Sequence, residues 1–332
     1  MRRRDFIKLL SLGTIAWPGA TLAQQPRRFP LVAVLTPYEE ARKGVFTPIS
    51  RGAFNQALKE LGWTDGKNLR INYHDAGGDL QLLRSLAKEA VKLHPDIIVA
   101  VNTPMVASVL NETQTIPVVF GLVSDPIGSG FVQNLARPGS NATGFAYGDP
   151  SLASKWLELL EEISPAINRV GIMFNPGAAP GSGAYYLQPF EAAARSFAIT
   201  PIAAPVSNPD EIKRVIASLE GQPLGGLVVT PDYFVVSQRE LIISLAGDHR
   251  VAAIYPLPDF SISGGLMSYS IDEQLESELA GYVDRILKGA RPEDLPVQEP
   301  SKFKLLINVR TATVLGLTVP PSLLIRADEA IE

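Results

Sequence analysis

The sequence predicts an α/β protein of two lobes, each built on a parallel β-sheet, that are joined by a hinge of several strands. Short apolar runs alternate with amphipathic helical segments, which is the pattern of β-α-β units and parallel sheets. A set of four such strands occurs twice, over residues 31–123 and over residues 169–255. The chain has 332 residues, of which 46% are hydrophobic, so it is long enough to bury two cores.

The first set of strands contains the clearest patterns. Leu31–Thr36 and Asp96–Val101 are continuous apolar runs, which are typical of strands buried on both faces. Asn68–His74 alternates between apolar and polar residues, and Ile116–Val123 closes the set. The helices predicted between these strands are Arg51–Leu61, Leu80–Leu93 and a segment that ends near Asn111. In the second of these helices the residues predicted to face the core are Leu82, Leu83, Leu86, Ala90 and Leu93.

The second set repeats this rhythm without any sequence identity to the first. Its predicted strands are Arg169–Phe174, Ile199–Val206, Gly226–Thr230 and Val251–Tyr255. Its predicted helices are Leu152–Ile163, Tyr185–Phe197, Asp210–Leu219 and Arg239–Gly247. The repeat is therefore one of architecture, and it predicts two similar lobes.

The connections between the lobes follow from Ala142–Tyr147 and from the tail. Ala142–Tyr147 is predicted to be a hinge strand that leaves the first lobe. The tail then adds predicted elements beyond the second set: Leu266–Ile271, Glu273–Lys288, the Pro-rich connector Arg291–Pro300, Lys304–Val309 and Thr311–Leu315. Because these extra elements suggest that the chain recrosses the hinge, we assign residues 30–145 plus about 264–298 to the first lobe and residues 146–263 plus about 299–332 to the second. In this layout Leu266–Ala290 packs on the first lobe and Phe303–Leu317 on the second, and several linkers restrict the lobes to opening and closing.

The N-terminus has the pattern of an export signal, which we assign to residues 1–23. Arginines and Lys8 precede the apolar run Leu9–Trp17, and small residues follow up to Ala23. The paired Arg3-Arg4 before Asp5-Phe6 matches the twin-arginine pattern, and the apolar run is too short to span a bilayer. We therefore expect cleavage near Ala23 and a periplasmic mature protein. The alternative is an ordinary amphipathic N-terminal helix.

Composition excludes several functional classes. The chain has no cysteine, which excludes disulfides, thiol catalysis and thiolate metal sites. Its net charge is −4, with no basic stripe beyond the first four residues and Arg27-Arg28, so nucleic acid is not an expected partner. The three histidines are dispersed and lack metal-ligand spacing. No dinucleotide-binding, Walker-type or nucleophile-elbow motif is present. We therefore predict no cofactor, no metal and no catalytic set.

Five predicted strand ends share a polar residue next to a proline, at residues 36–37, 102–104, 124–126, 175–176 and 230–232. Ligands bind at the carboxyl ends of parallel strands, and helix starts of this type offer free N–H groups to anions. Each of these strand ends taken alone is better explained as a plain helix cap. Aromatic residues near these ends, Tyr186 and Tyr233 among them, can line an apolar slot. The candidate ligand-binding residues are Thr36, Tyr38, Thr103, Pro104, Ser124, Asp125, Asn175, Tyr185, Asp232 and Tyr255.

Two pairs of these residues have predicted roles. Asp125 and Asp232 are expected to meet a ligand ammonium, while Thr103 and Asn175 hydrogen-bond its carboxylate. The recurrence of the pattern in both halves favours one site between the lobes over a series of unrelated caps.

Longer motifs carry a family resemblance. They are Ser124-Asp125-Pro126-Ile127-Gly128, residues 137–144, residues 282–290, residues 294–297, Ile307-Asn308, Leu315-Gly316-Leu317 and residues 326–329. On these motifs essentially all of the mature chain resembles the bacterial ABC-transporter substrate-binding proteins of the tryptophan/tyrosine-type group, which are built like type I periplasmic binding proteins. The resemblance implies two Rossmann-like lobes, a small ligand in the cleft and an ABC permease in the inner membrane as partner.

From this resemblance we expect a monomeric solute-binding protein. The helix starts, carboxylates and aromatic residues at the strand ends, and not the name of the group, lead us to expect an amino acid, aromatic ones included, or a related small organic acid as its ligand. Two alternatives are an exported two-lobed enzyme and a protein that presents its ligand to a sensory receptor. A transcriptional repressor of the same fold is disfavoured, because no helix-turn-helix precedes Leu31 and an export signal does.

Overall fold

The computed structural model describes residues 28–37, 49–77, 79–221, 225–271 and 275–332. The predicted export signal and Tyr38 lie outside these residues. Within them, no helix is both long and apolar enough to cross a membrane.

The first lobe contains a five-stranded parallel sheet in the order β2-β1-β3-β4-β5. Its strands are β1 (Leu31–Thr36), β2 (Arg70–Asp75), β3 (Ile97–Val101), β4 (Val118–Val123) and β5 (Ala142–Ala146). The helices of this part of the chain are α1 (Arg51–Glu60), α2 (Leu83–Lys92) and α3 (Thr103–Glu112).

The second lobe contains a seven-stranded sheet in the order β12-β11-β10-β9-β8-β6-β7, and among the described strands the β10–β11 pair is antiparallel while the other pairs are parallel. Its strands are β6 (Arg169–Phe174), β7 (Thr200–Pro205), β8 (Gly226–Val229), β9 (Ala252–Tyr255), β10 (Met267–Ile271), β11 (Phe303–Asn308) and β12 (Glu329–Ile331). The helices of the rest of the chain are α4 (Leu152–Ile163), α5 (Ala184–Ser196), α6 (Pro209–Leu219), α7 (Tyr233–Ser237), α8 (Arg239–Asp248), α9 (Pro258–Ile262), α10 (Leu275–Leu287), α11 (Val309–Val314) and α12 (Pro321–Arg326).

Each lobe buries its own core. In β1, Val32 and Val34 pack into the core on one face of the first sheet, and Ala33 and Leu35 pack into the core on the other face. This is the physical reason for the continuous apolar run in the sequence, since consecutive side chains of a strand point to opposite faces. A separate cluster around Trp156 forms the core of the second lobe.

The described elements place three passages between the lobes: between β5 and α4, between β10 and α10, and between Gln298 and β11. The first and third passages begin side by side. The Ala146 amide donates to the Gln298 carbonyl at 2.8 Å, and the Gln298 amide donates to the Gly144 carbonyl at 2.9 Å. Helix α10 packs on α1 and contributes Leu275 and Leu279 to a first-lobe core. The predicted fold class, two α/β lobes joined by a multi-strand hinge, is confirmed.

The second passage comes later than the sequence predicts. We assigned residues from about 264 to the first lobe, but β10 is hydrogen-bonded between β9 and β11 in the second sheet. The expectation that Leu266–Ala290 packs on the first lobe is therefore wrong for β10, while α10 does pack there. An apolar strand pattern reports burial, and it does not identify which of two sheets buries the strand.

Smaller differences concern α2 and the shortest elements. Leu82 and Leu93 were expected to face the core, yet 45% of Leu82 and 41% of Leu93 is exposed. A 3-10 turn precedes α2, which begins only at Leu83 and ends at Lys92, so both leucines lie beyond its inward face. No prediction from the sequence covers α7, α9, α12 and β12, because these elements have six residues or fewer and show too little periodicity.

We expect Gly144→Ala to destabilise the protein strongly. A Cβ at Gly144 would lie 2.0 Å from the Phe120 carbonyl oxygen, and neither backbone can yield without breaking the β4–β5 pairing. The free energy of unfolding, measured by urea denaturation, should fall by about 3 kcal/mol. Gly281→Ala is the matched control, because no atom lies within 4 Å of its Cβ position in α10, and it should stabilise the protein by ~0.5 kcal/mol. Equal effects of the two variants would contradict the tight β4–β5 contact.

Candidate functional site

The candidate site lies where the carboxyl ends of the two sheets meet. Its walls are the segments that follow β3, β4, β6 and β8, together with the first turn of α5. The lining residues are Asn102, Thr103, Leu122, Ser124, Ala178, Ala179, Pro180, Tyr186, Thr230, Pro231 and Asp232. The cavity that these residues enclose is about 10 Å³, room for roughly one water, so the two lobes approach each other closely here.

The first lobe contributes a helix start whose amides are unpaired. Asn102 occupies the N-cap of α3, but its side chain makes no capping hydrogen bond. Pro104 has no N–H, so Thr103 and Met105 carry the N–H groups of the first turn, and these groups lack partners within the helix. The Thr103 hydroxyl accepts a 3.4 Å hydrogen bond from the Ser124 amide, which joins the ends of β3 and β4.

Leu122 reaches the cleft through a break in strand pairing. The β4–β5 register shifts between Phe120 and Val123, and Leu122 has a φ of 55°, a left-handed value that non-glycine residues rarely adopt. Its side chain packs against the cores of both lobes. Sequence reasoning missed this residue, because leucine carries no signal for a left-handed backbone.

The second lobe contributes Asp232, whose carboxylate is fully engaged within its own lobe. Its Oδ1 accepts from the Val235 amide at 3.0 Å, and its Oδ2 accepts from the Asn175 amide and the Thr230 hydroxyl, both at 2.9 Å. Asp232 is thus the N-cap of α7. It lines the cleft, and the hydrogen bonds that it accepts are those of a helix cap and of the neighbouring strand end.

Asn175 is engaged in the same way. Its Nδ2 donates to the Val206 carbonyl at 2.8 Å, and its Oδ1 accepts from the Gly177 amide at 2.9 Å. Asn175, which is predicted to hydrogen-bond a ligand carboxylate, therefore closes the turn after β6. It does not line the cavity.

Two further candidates lie close to the cleft without lining it. The Asp125 Oδ1 accepts from the Gly128 amide at 2.7 Å and closes the turn after β4. The Tyr185 hydroxyl donates to the Gly148 carbonyl at 3.0 Å, on the first passage between the lobes.

The remaining described candidates lie in a core or within a secondary-structure element. Tyr255 is buried and stacks on Phe260 with a centroid distance of 4.7 Å. Thr36 is buried at the end of β1, and Pro104 lies in the first turn of α3. Tyr38 lies outside the described residues. Of the ten candidates, the structure brings Thr103, Ser124 and Asp232 together on the cavity wall.

Tyrosine hydroxyls connect the parts of the molecule across the cleft. The Tyr233 hydroxyl on α7 donates to the Pro37 carbonyl of the first lobe at 2.9 Å. The Tyr147 hydroxyl on the first passage donates to the Pro256 carbonyl at 2.5 Å. Burial raises the pKa of both phenols above the usual range, so both remain protonated donors at neutral pH.

The chemistry of the cleft is that of hydrogen bonding. Within the described ranges no group of three His, Asp or Glu residues could hold a metal ion. The lining offers hydroxyls, backbone amides and one buried carboxylate between small apolar residues. Such a concave surface between two lobes, at the carboxyl ends of parallel strands, defines a two-lobed binding protein.

Comparison with known proteins gives the family. The family model described as ABC transporter substrate binding protein matches residues 47–331, and the chain belongs to this family. A curated relative, the tyrosine-binding protein of Clostridioides difficile (strain R20291), is 26% identical over 269 residues, which are 81% of this chain and 76% of the relative. The resemblance found in the sequence is confirmed.

Solved structures agree with this assignment. A conserved domain protein from Vibrio cholerae is 28% identical with a TM-score of 0.82, and the alignment covers 91% of this chain and 99% of that one. The ABC domain in complex with L-Trp from Streptococcus pneumonia is 24% identical with the same TM-score, over 91% of this chain and 100% of that one. The fold is thus shared over nearly the whole length.

We expect the contribution of the Asp232 carboxyl group to the free energy of unfolding to decrease as pH rises. Burial raises its pKa from 3.8 to about 6, against the opposing hydrogen bonds from Val235, Asn175 and Thr230. The favourable contribution of the neutral carboxyl is complete below pH 3.8 and is lost as pH rises through about 6. Since one pKa unit is ~1.36 kcal/mol, this loss is about 3 kcal/mol.

The measurement is the free energy of unfolding of the wild type and of Asp232→Asn between pH 4 and pH 7. The wild-type value minus the variant value should fall as pH rises. Asp210→Asn is the control with opposite sign, because Lys213 lowers the pKa of the exposed Asp210. Parallel profiles for wild type and Asp232→Asn would show that Asp232 titrates normally.

Proposed function

We propose that the protein is the substrate-binding component of an ABC importer, which closes its two lobes over an amino acid or a related small organic acid. The observation that carries this proposal is the meeting of polar strand ends from two separate sheets in one cleft, with Tyr233 joining the lobes across it. A hinge of several passages beside such a cleft suits two lobes that open and close around a ligand.

The ligand class rests on two kinds of support. The unpaired amides of α3 and the Ser124 side chain suit an anionic group such as a carboxylate. The curated relative is named a tyrosine-binding protein, and one structural neighbour was solved in complex with L-Trp. An aromatic amino acid is therefore the first ligand to test.

The clamp works by adding interlobe contacts when it closes. Tyr233 and Pro37 belong to different lobes, so their hydrogen bond is lost when the lobes separate. A ligand that touches both walls adds further contacts to the closed form only, and shifts the population towards it.

Location and partners complete the proposal. Residues 1–23 direct export to the periplasm, cleavage near Ala23 releases the mature chain as a monomer, and an ABC permease in the inner membrane receives the ligand. Chemical conversion of the bound ligand would instead indicate an enzyme. Normal uptake in a deletion strain would favour a sensory role.

We expect a large thermal stabilisation by the correct ligand. A panel of amino acids, aromatic acids and sugars is screened by melting temperature, with protein freed of ligand by unfolding and refolding. A ligand at about a hundred times its Kd adds ~2.7 kcal/mol to the free energy of unfolding. Tyrosine or tryptophan should be among the hits, and the absence of a shift from every amino acid and organic acid would refute the proposed ligand class.

We also expect the Tyr233→Phe substitution to weaken ligand binding indirectly, through the loss of an interlobe contact. Loss of one interlobe hydrogen bond removes about 1 kcal/mol from the closed form, which is roughly a fivefold increase in Kd by calorimetry. Tyr73→Phe is the matched control, because the Tyr73 hydroxyl donates to Asn55 within the first lobe. If the two variants bind equally well, the Tyr233–Pro37 bond does not contribute to closure.

A further inference from the structure

Leu122 departs from the alternation of side chains along β4. In a strand, side chains two positions apart point to the same face of the sheet. Val118 and Phe120 belong to the first-lobe core on one face, and Val119 belongs to the core on the other face. Leu122 should therefore join Val118 and Phe120. It packs instead against the core that contains Val119, and Val123 takes the place on the opposite face.

The backbone at Leu122 produces this exchange of faces. Its φ is 55°, and the β4–β5 register shifts between Phe120 and Val123. An irregularity of this kind in a strand re-aims the side chains that follow it. A left-handed backbone is unfavourable for leucine, so the surroundings of Leu122 must hold it in place.

The re-aimed side chain reaches the second lobe. Within the described part of the chain, Leu122 packs against the second-lobe core around Trp156 as well as against a first-lobe core. It also lines the cleft, opposite the second-lobe segment Ala178, Ala179 and Pro180. On the face that regular alternation assigns to it, Leu122 would pack inside the first lobe alone. The irregularity in β4 therefore gives the first lobe an apolar contact with the second.

This contact exists only while the lobes are together. When they separate, the apolar surface of Leu122 that packs on the second lobe returns to water, which is unfavourable. We propose that Leu122 is an apolar latch that favours the closed form and thereby raises the affinity for the ligand. The inference rests on the proposed function, because a contact of the closed form strengthens binding only in a protein that binds its ligand in that form.

The experiment measures the closing of the lobes directly. The chain has no cysteine, so two introduced cysteines can be labelled selectively with a fluorescent pair. Gln81→Cys and Ser207→Cys place the labels at exposed positions that follow β2 in the first lobe and β7 in the second. Single-molecule energy transfer on the mature chain then gives the share of closed molecules, without ligand and in the presence of L-tyrosine or L-tryptophan.

The test variant is Leu122→Ala, which removes the latch. The share of closed molecules should fall, and the Kd for L-tyrosine or L-tryptophan by calorimetry should rise about tenfold, as expected when part of a leucine side chain loses its burial. Leu122→Met should recover most of the lost affinity, because it conserves the volume of the side chain.

Leu86→Ala is the matched control. Leu86 is a half-buried leucine on α2 that packs against a first-lobe core. Its truncation should lower the melting temperature and leave both the share of closed molecules and the Kd unchanged.

Leu122→Gly tests the backbone separately from the side chain. Glycine adopts a left-handed backbone without strain, whereas alanine does not. Leu122→Gly should therefore unfold at a higher urea concentration than Leu122→Ala, which reverses the order expected at an ordinary strand position. Higher stability of the alanine variant would show that the backbone at this position does not re-aim the side chain, and would overturn the proposed latch.

The remaining outcomes separate the latch from the proposed function. If Leu122→Ala closes and binds as the wild type does, or if Leu86→Ala loses as much affinity, the latch is refuted, while ligand binding by the wild type still supports the proposed function. If the wild type binds no amino acid or organic acid, the proposed function is wrong. The latch then requires that fewer molecules of free Leu122→Ala than of the free wild type be closed, and equal shares would refute it.

Discussion

The hinge ladder between β5 and Gln298 is the constraint on which the rest of the structure depends. Two backbone hydrogen bonds link Gln298 to Gly144 and Ala146, and the Thr143 hydroxyl donates to the Leu295 carbonyl at 2.6 Å nearby. These contacts fix the third passage to the edge of the first sheet. On the first and third passages, the lobes therefore move through the short segments beyond Tyr147 and Gln298, which keeps the strand ends of both sheets facing each other.

The two walls of the cleft differ in how their polar groups are hydrogen-bonded. In the second lobe, Asp232, Asn175 and Thr230 satisfy one another and hold the loops after β6 and β8 in place. In the first lobe, the start of α3 is uncapped and Leu122 is held at a left-handed φ. Backbone strain of this kind persists where the surroundings enforce it and is found most often at functional sites. The polar groups of the second-lobe wall are thus hydrogen-bonded to one another, whereas the helix start in the first-lobe wall has no side-chain cap.

Much of the fold could be predicted from the sequence, because the pattern of apolar residues in a strand reflects which of its faces are buried. The continuous runs of β1 and β3 follow from burial on both faces, and the helices with a clear apolar stripe lie where the periodicity places them. The assignment of β10 failed because hydrogen-bond partners are a long-range property. The candidate site was harder still. Asp232 and Asn175 have the expected residue types at the expected strand ends, but the sequence does not show that Asp232 caps α7 through Val235 or that Asn175 bonds Val206.

The late position of α10 has a consequence for how the chain matures. Leu275, Leu279 and Val283 of this helix fill a first-lobe core with Phe54 and Val99, while the second sheet needs β11 and β12 near the end of the chain. Neither lobe is a contiguous segment. Many domains fold one after another as the chain emerges during synthesis, but here the N-terminal lobe needs a helix that begins at Leu275, far along the chain from its first strand at Leu31. Its unfinished apolar face must be protected until then, so the two lobes complete their folding almost together.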